Sequence, residues 1–402
     1  MTPTLRRKAK QVRPPRQPHP FCAEAWPMAS VEFNTKESSM KFVLWMLVLV
    51  VALAGGPAAS ATLFTWTGAS STAYDTAGNW SPSGVPDDAN DSFRIDVATN
   101  TPVIYASTTY SISAGSINAD TNDATCGLTI NSGSLTTGSR VTIKGNQDGT
   151  NAATLTVAGG TFSPRYLEFI GGDGASDGHA IGDFDVDVTV VAITLSTTVT
   201  GNSDIDVATD KLLAAKELLV GDGTLPADLT IGYAAGGGEV DATALVIVVG
   251  DAADEDAIVS LDTGLLDVNG KVELIGAAGV NAQPKLLIAS GTTFTPDTIS
   301  LQGGDSSTRA AVIDLDVSTT VGASSGTEVT GFAQVNLATG VVFETKPFAV
   351  GVSNVSGDCS LISTASSTAV LRATKVEIKG GSSTVSKLTV TANQGKIETV
   401  ND

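Results

Sequence analysis

Short runs of alternating apolar residues ending in glycine recur along the chain. They read VTIKG at 141–145, LEFIG at 167–171, LLVG at 218–221, VIVVG at 246–250, VELIG at 272–276, ISLQG at 299–303 and VEIKG at 376–380. The steps from Gly145 to Gly171, from Gly250 to Gly276 and from Gly276 to Gly303 define one unit of about 26 residues. The step from Gly171 to Gly221 is close to two such units and that from Gly303 to Gly380 close to three, so the unit recurs roughly ten times. Within a unit, apolar and polar residues alternate with period two, which predicts strands with one face buried. Gly, Asn, Asp and Ser separate them and supply corners.

Longer segments also repeat. Residues 153–190 align with 284–321, placing Leu155 against Leu286, Phe162 against Phe294, Pro164 against Pro296, Gly171 and Gly172 against Gly303 and Gly304, and Asp183 against Asp314. Residues 141–157 resemble 376–390 in the same way.

One such unit cannot close a core alone. Units stacked in register line up Val, Ile, Leu and Phe in internal columns about 4.8 Å apart, with backbone hydrogen bonds running from turn to turn. The pattern therefore predicts an all-β chain, a single parallel β-helix (β-solenoid) over 97–402, of about ten rungs of about 26 residues with three short strands in each. The usual crossover rule makes it right-handed. A β-sandwich would not impose one small period on so long a stretch.

Composition agrees. Glycine is 42 of 402 residues, 42% are hydrophobic, only 16% are charged, and the net charge is −19. Abundant Gly, Thr, Ser, Val and Asp disfavour helices. The acidity excludes a nucleic-acid partner, whose phosphates it would repel.

The segment MKFVLWMLVLVVALAGGPAASA at 40–61 reads as a secretory signal peptide, with Lys41, an apolar run at 42–54, and the small-residue site Ala59-Ser60-Ala61. The run is shorter than the roughly 20 residues a membrane span needs. Cleavage would leave Thr62 first, and a secreted or cell-surface protein with 15 basic against 39 acidic residues, a net charge of −24. Residues 1–39, with six Lys and Arg before position 17 and the stretch PPRQPHP, read as an extended leader or as lying ahead of a true start at Met40 or Met28, without a fixed fold.

The segment 62–96 carries Thr65-Trp66-Thr67-Gly68, Gly78-Asn79-Trp80-Ser81, Gly84-Val85-Pro86 and Asp91. This opening resembles that of exported bacterial autotransporter passenger-like and adhesin-like β-helix proteins. The resemblance implies a surface or extracellular protein and says little about activity. Such proteins often finish in an outer-membrane barrel or sorting tail, whereas this sequence stops in mid-unit at Asp402, so the resemblance supplies no means of surface retention. Physically, a solenoid's first turn exposes core and strand edge that must be covered. Trp66 and Trp80 are the expected cap over it. At the other end, KLTVT at 387–391 continues the strand pattern almost to the end, leaving an edge expected to support self-association unless the chain is a truncated product.

Candidate chemistry is sparse. His179 is the one histidine of the mature chain and sits in a Gly-rich loop, where it reads as solvated. No nucleophile elbow, zinc-ligand cluster or phosphate-binding loop occurs. No catalytic residue is assigned. Cys126 and Cys359 are about nine rungs apart, roughly 40 Å, too far for a disulfide. The carboxylates are the most distinctive group. Asp183, Asp185 and Asp187 alternate outward, Asp206 follows one rung later, and Asp173 and Asp177 sit in the adjoining loop. Stacked carboxylates repel, and a bridging calcium ion, the one cofactor this pattern suggests, would relieve that; the plainer reading is a solvated acidic face.

Three functions follow: a non-catalytic structural or adhesive rod; a polysaccharide-binding rod using Tyr105, Tyr110, Tyr166 and Tyr233 on one face; and a polysaccharide lyase or hydrolase. A concave surface gathering carboxylates with Arg or Lys would favour the last.

Overall fold

The computed structural model describes residues 61–400 apart from 106–107, 121–123, 173–176, 192–196, 222–226, 233–236, 250–255, 278–280, 323–324, 352–356, 364–367, 380–385 and 392–395. The chain divides into Met1–Ala59 and Ser60–Asp402. Of the expected leader, 40–59 falls in the first unit, and 40–60 lies outside the described residues.

The second unit is all-β and forms a parallel β-solenoid of about ten turns. A regular turn has three short faces. Ser134–Lys144 bends at its middle, so that 134–137 form a first face and 141–144 a second. A loop then leads to the third face, Ala153–Val157. The following turn repeats the order with Thr161–Ile170 and Ala180–Phe184. Register slips at the bend, between Pro164 and Tyr166 and again between Val268 and Lys271. Proline is tolerated there because a bend does not need every ladder donor.

Alternation sets what is buried. On the third face Ala153, Leu155 and Val157 point inward and Thr154 and Thr156 outward. Inward positions stack on the corresponding positions of the next turn, as in the second-face column Val141, Leu167, Thr197, Leu218, Leu245, Val272, Ile299, Thr327, Phe348 and Val376. Each fully buried aliphatic residue contributes about 1.5–3 kcal/mol, and only stacking removes both ends of its column from water.

That column also measures the turns. Leu218 to Leu245, Leu245 to Val272 and Val272 to Ile299 are equal steps. Leu167 to Thr197 is longer than these, and Thr197 to Leu218 is shorter. Thr327 to Phe348 is short in the same way. The interval from Gly171 to Gly221 thus holds one long and one short turn, not two equal ones. The reason is a moved loop. In these two turns extra residues are inserted between first and second face, at 190–196 and 321–326. The loop between second and third face is absent, so Thr197–Val207 and Thr327–Leu337 run straight from one face to the other.

The chain turns those corners at Gly201 (φ +63°) and Gly331 (φ +64°). A Cβ on Gly201 would lie 2.2 Å from the Gly171 carbonyl oxygen, and one on Gly331 2.1 Å from that of Gly303. Only glycine fits both the left-handed backbone and the space. Thr197 and Thr327 stand five turns apart on the one column, so the solenoid holds two related blocks.

They differ inside. Thr327 and Thr345, both buried, share a hydrogen bond of 3.1 Å. In the first block Ala215 replaces the second threonine, and the buried Thr197 hydroxyl has no partner among the described residues.

At the N-terminal end the ladder already runs through 62–96. Leu63–Trp66 pairs in parallel with Ser92–Ile95 and antiparallel with Trp80–Ser81. Trp66 and Trp80, 1% and 3% exposed, meet edge to face at 4.9 Å. Tyr74 packs on Trp80 at 5.0 Å and on Tyr110 at 4.8 Å. The buried Asn79 side chain accepts from the Ser70 and Ser71 amides and donates to the Ala73 carbonyl. Tryptophan N–H groups are satisfied by backbone, Trp66 by Thr99 and Asn100, Trp80 by Tyr74. Cys126 is a free, buried cysteine on the third face. Cys359 lies on the same face, nine turns on, about 43 Å away at ~4.8 Å per turn.

Candidate functional site

On the third face one pair of outward positions stacks carboxylate on carboxylate. Asp183 and Asp206 are direct partners across adjacent turns, as the repeat of the sequence implies. Burial, then Asp185 and Asp206, push the Asp183 carboxyl above the usual carboxylate range. Burial and the nearby Asp204 and Asp262 do the same to Asp228, with His179 opposing. In the second block burial and Asp316 raise Asp314, while a hydrogen bond from Asn336 opposes it. Like charges brought together in a partly dry setting resist ionisation.

The described members of the proposed calcium set do not gather around one point. Asp173 lies outside the described residues, and among the described residues no group of three His, Cys, Asp or Glu is placed to hold a metal ion. Asp187 instead accepts a hydrogen bond from the Leu212 amide at 3.0 Å. The physical reason is spacing: outward residues two apart are about 6.5 Å apart along a strand, so the run of carboxylates spreads along the face, and Asp183 feels Asp185 and Asp206 without the set closing around one point.

His179 is not simply solvated. Its Nδ1 lies 2.6 Å from Asp204 Oδ2, and it covers a carboxylate whose side chain is only 5% exposed. This contact fastens His179 to the next turn, beside the corner at Gly201. The sequence carried a partial signal, since Asp204 belongs to the same DIDV run as Asp206, but nothing in it placed His179 above Asp204. At the corresponding positions of the second block stand Ala310 and Gln334.

The tyrosines do not share a face. Tyr110 is part of the buried aromatic cluster, Tyr105 is 50% exposed, Tyr166 sits under the Arg165 guanidinium at 5.4 Å, and Tyr233 is outside the described residues. Tyr110 is drawn inward because the first turn has aromatic partners for it.

A concave surface does gather charge. Beside the 321–326 insertion a cleft of about 580 Å³ runs along the axis over successive turns, at 320–322, 344–346, 372–374 and 398–400. Its floor is an ion-pair ladder of rung partners. Arg372 donates from Nη1 to Glu344 at 3.2 Å and from Nε and Nη2 to Glu398 at 3.2 Å each. Lys396 also pairs with Glu398. Hydrogen bonds from Lys396 and Arg372 hold the Glu398 carboxyl below the usual range. Among the described residues Lys346, at the rim, makes no ion pair. The first block has Ala214, Asp241 and Asp267 where the second has Glu344, Arg372 and Glu398. Nothing in the sequence marks these three residues as neighbours, because Glu344 lies a full turn before Arg372 and Glu398 a full turn after.

On the last described turn Ile378, Val390 and Ile397 continue strand positions of earlier turns and are 54%, 42% and 37% exposed.

No family model, curated protein or solved structure matches this chain.

Proposed function

We propose that the chain is an exported, non-catalytic β-solenoid that acts at the cell surface or outside the cell as a structural or adhesive rod. The carrying observation is the ladder of parallel pairs that runs from Leu63 to Thr399. Such a ladder makes a stiff rod with long polar faces, suited to spacing and to many weak contacts. The concave surface supports a binding rather than a catalytic use. Hydrolysis by paired carboxyls needs one acid with a raised pKa and space for water between the two. Here Arg372 stands between Glu344 and Glu398, and Glu398 is driven the other way.

Polysaccharide is the partner the cleft favours, as a second reading. The exposed Ile378, Val390 and Ile397 favour addition of a further strand on that side, in keeping with self-association.

The test is export. The chain expressed from Met40 in a Gram-negative host should leave the cytoplasm, and its mature N-terminus should sequence as Thr62. An uncleaved product retained in the cytoplasm would overturn the proposal.

A further inference from the structure

The cleft beside the 321–326 insertion is specific in what it offers. Its floor holds planar charged groups on three successive turns, Glu344, Arg372 and Glu398, and the two carboxylates are balanced by Arg372 together with Lys396. At ~4.8 Å per turn the cleft is about 14 Å long from the insertion to the last turn, so its occupant is elongated along the axis. The volume of about 580 Å³ falls within the ordinary range of ligand clefts.

Donors and acceptors remain after the ladder is made. Arg372 uses three of its five N–H groups on the glutamates. Two N–H groups are left, in a guanidinium fixed from both sides. The glutamate oxygens retain lone pairs, and the Lys346 ammonium adds donors at the rim. The exposed lining is more apolar than polar, with Val321 and Val400 contributing to it beside the charged groups. A ligand matching this set must both give and accept hydrogen bonds along its length. Its charge must also be close to zero. Arg372 is already balanced, and a mature chain at −24 repels a polyanion, while no uncompensated carboxylate cluster on the cleft floor attracts a polycation.

We propose that this cleft binds a segment of a linear, neutral, hydroxyl-rich glycan, with Arg372 as the reading group and Glu344 and Glu398 as its positioning partners. Thr320, Val321 and Gly322, where the second block's insertion begins, line one end of the groove. The first block has an insertion too, but Ala214, Asp241 and Asp267 leave its floor purely acidic, so it does not share the site. This inference rests on the polysaccharide reading above and assigns it a place.

The experiment is calorimetric titration of the mature chain with three neutral probes, cellohexaose, maltohexaose and xylohexaose, with hexagalacturonate as the acidic comparison. At least one neutral probe should bind. Arg372→Met and Glu344→Gln should each weaken it by about tenfold to a hundredfold, the effect of losing hydrogen bonds to charged groups. Asp241→Asn, in the first block, should leave it unchanged. Two variants are used because Arg372→Met could disturb the local strands, whereas Glu344→Gln keeps the side-chain shape. Binding unaffected by either variant would overturn this site and leave the glycan reading standing. No binding of any neutral probe would overturn both. Tighter binding of hexagalacturonate than of every neutral probe would overturn the charge argument.

Discussion

Replacing Gly201 by alanine isolates how closely the turns approach at a corner without a loop. Gly291 is the reference. Both residues have left-handed backbone, φ +63° and +86°, but an added Cβ at Gly291 meets nothing within 4 Å. Gly291→Ala therefore costs only the left-handed conformation, about 1–2 kcal/mol, partly offset by the stiffer unfolded chain. Gly201→Ala carries the same terms plus a collision at 2.2 Å with the Gly171 carbonyl oxygen and at 2.6 Å with that of Gly172. Both atoms belong to backbone, so the neighbouring turn must move. Two hydrogen bonds span that gap, Gly171 N to the Thr200 oxygen at 2.8 Å and Asn202 N to the Gly172 oxygen at 2.9 Å. Losing both adds roughly 1–3 kcal/mol. Solenoids open turn by turn, so the suitable measurement is native-state hydrogen exchange of peptides covering 165–172 and 197–207, followed by mass spectrometry. Exchange there should rise about tenfold to a hundredfold more in Gly201→Ala than exchange around 284–296 rises in Gly291→Ala, at ~1.4 kcal/mol per tenfold. Equal effects would show that the corner has slack and would refute the packing argument.

Three further outcomes follow from the same structure. Thr197→Val should stabilise its turn by about 1 kcal/mol by removing a buried hydroxyl without a partner, while Thr327→Val should destabilise by a similar amount because it breaks the bond to Thr345; paired urea titrations measure the opposite signs. Asp183→Asn should raise the urea midpoint at pH 7. The folded carboxyl has a raised pKa, so its ionisation opposes folding, fully so above that value, and the gain should fade as pH falls below the ordinary carboxylate range, where folded and unfolded forms are both protonated. A gain that persists at pH 3 would contradict the repulsion between Asp183, Asp185 and Asp206. Finally, burial pushes the Cys126 thiol up to about 12, so a thiol reagent at pH 8 should modify it only on unfolding, as peptide mapping of 126 would report.

The chain by itself determined the class of fold. Alternation such as LTV at 155–157 and glycine at recurring intervals are local properties, and they commit each segment to strand or corner whatever lies beside it. The doubling of 153–190 in 284–321 was equally plain, since paired residues such as Pro164 and Pro296 occupy equivalent bends. Only the tertiary structure decided what meets what on the outside. Loop lengths differ from turn to turn, so a count of residues does not fix which outward groups become neighbours. The interval from Gly171 to Gly221 hid a long turn and a short one. The same displacement in the second block carried a loop from one corner to another, beside the cleft where Arg372 stands between Glu344 and Glu398. In the first block it brought His179 onto Asp204, one turn on. Inward residues are legible because burial demands one kind of side chain, whereas outward partners depend on register, which exists only once the turns are stacked.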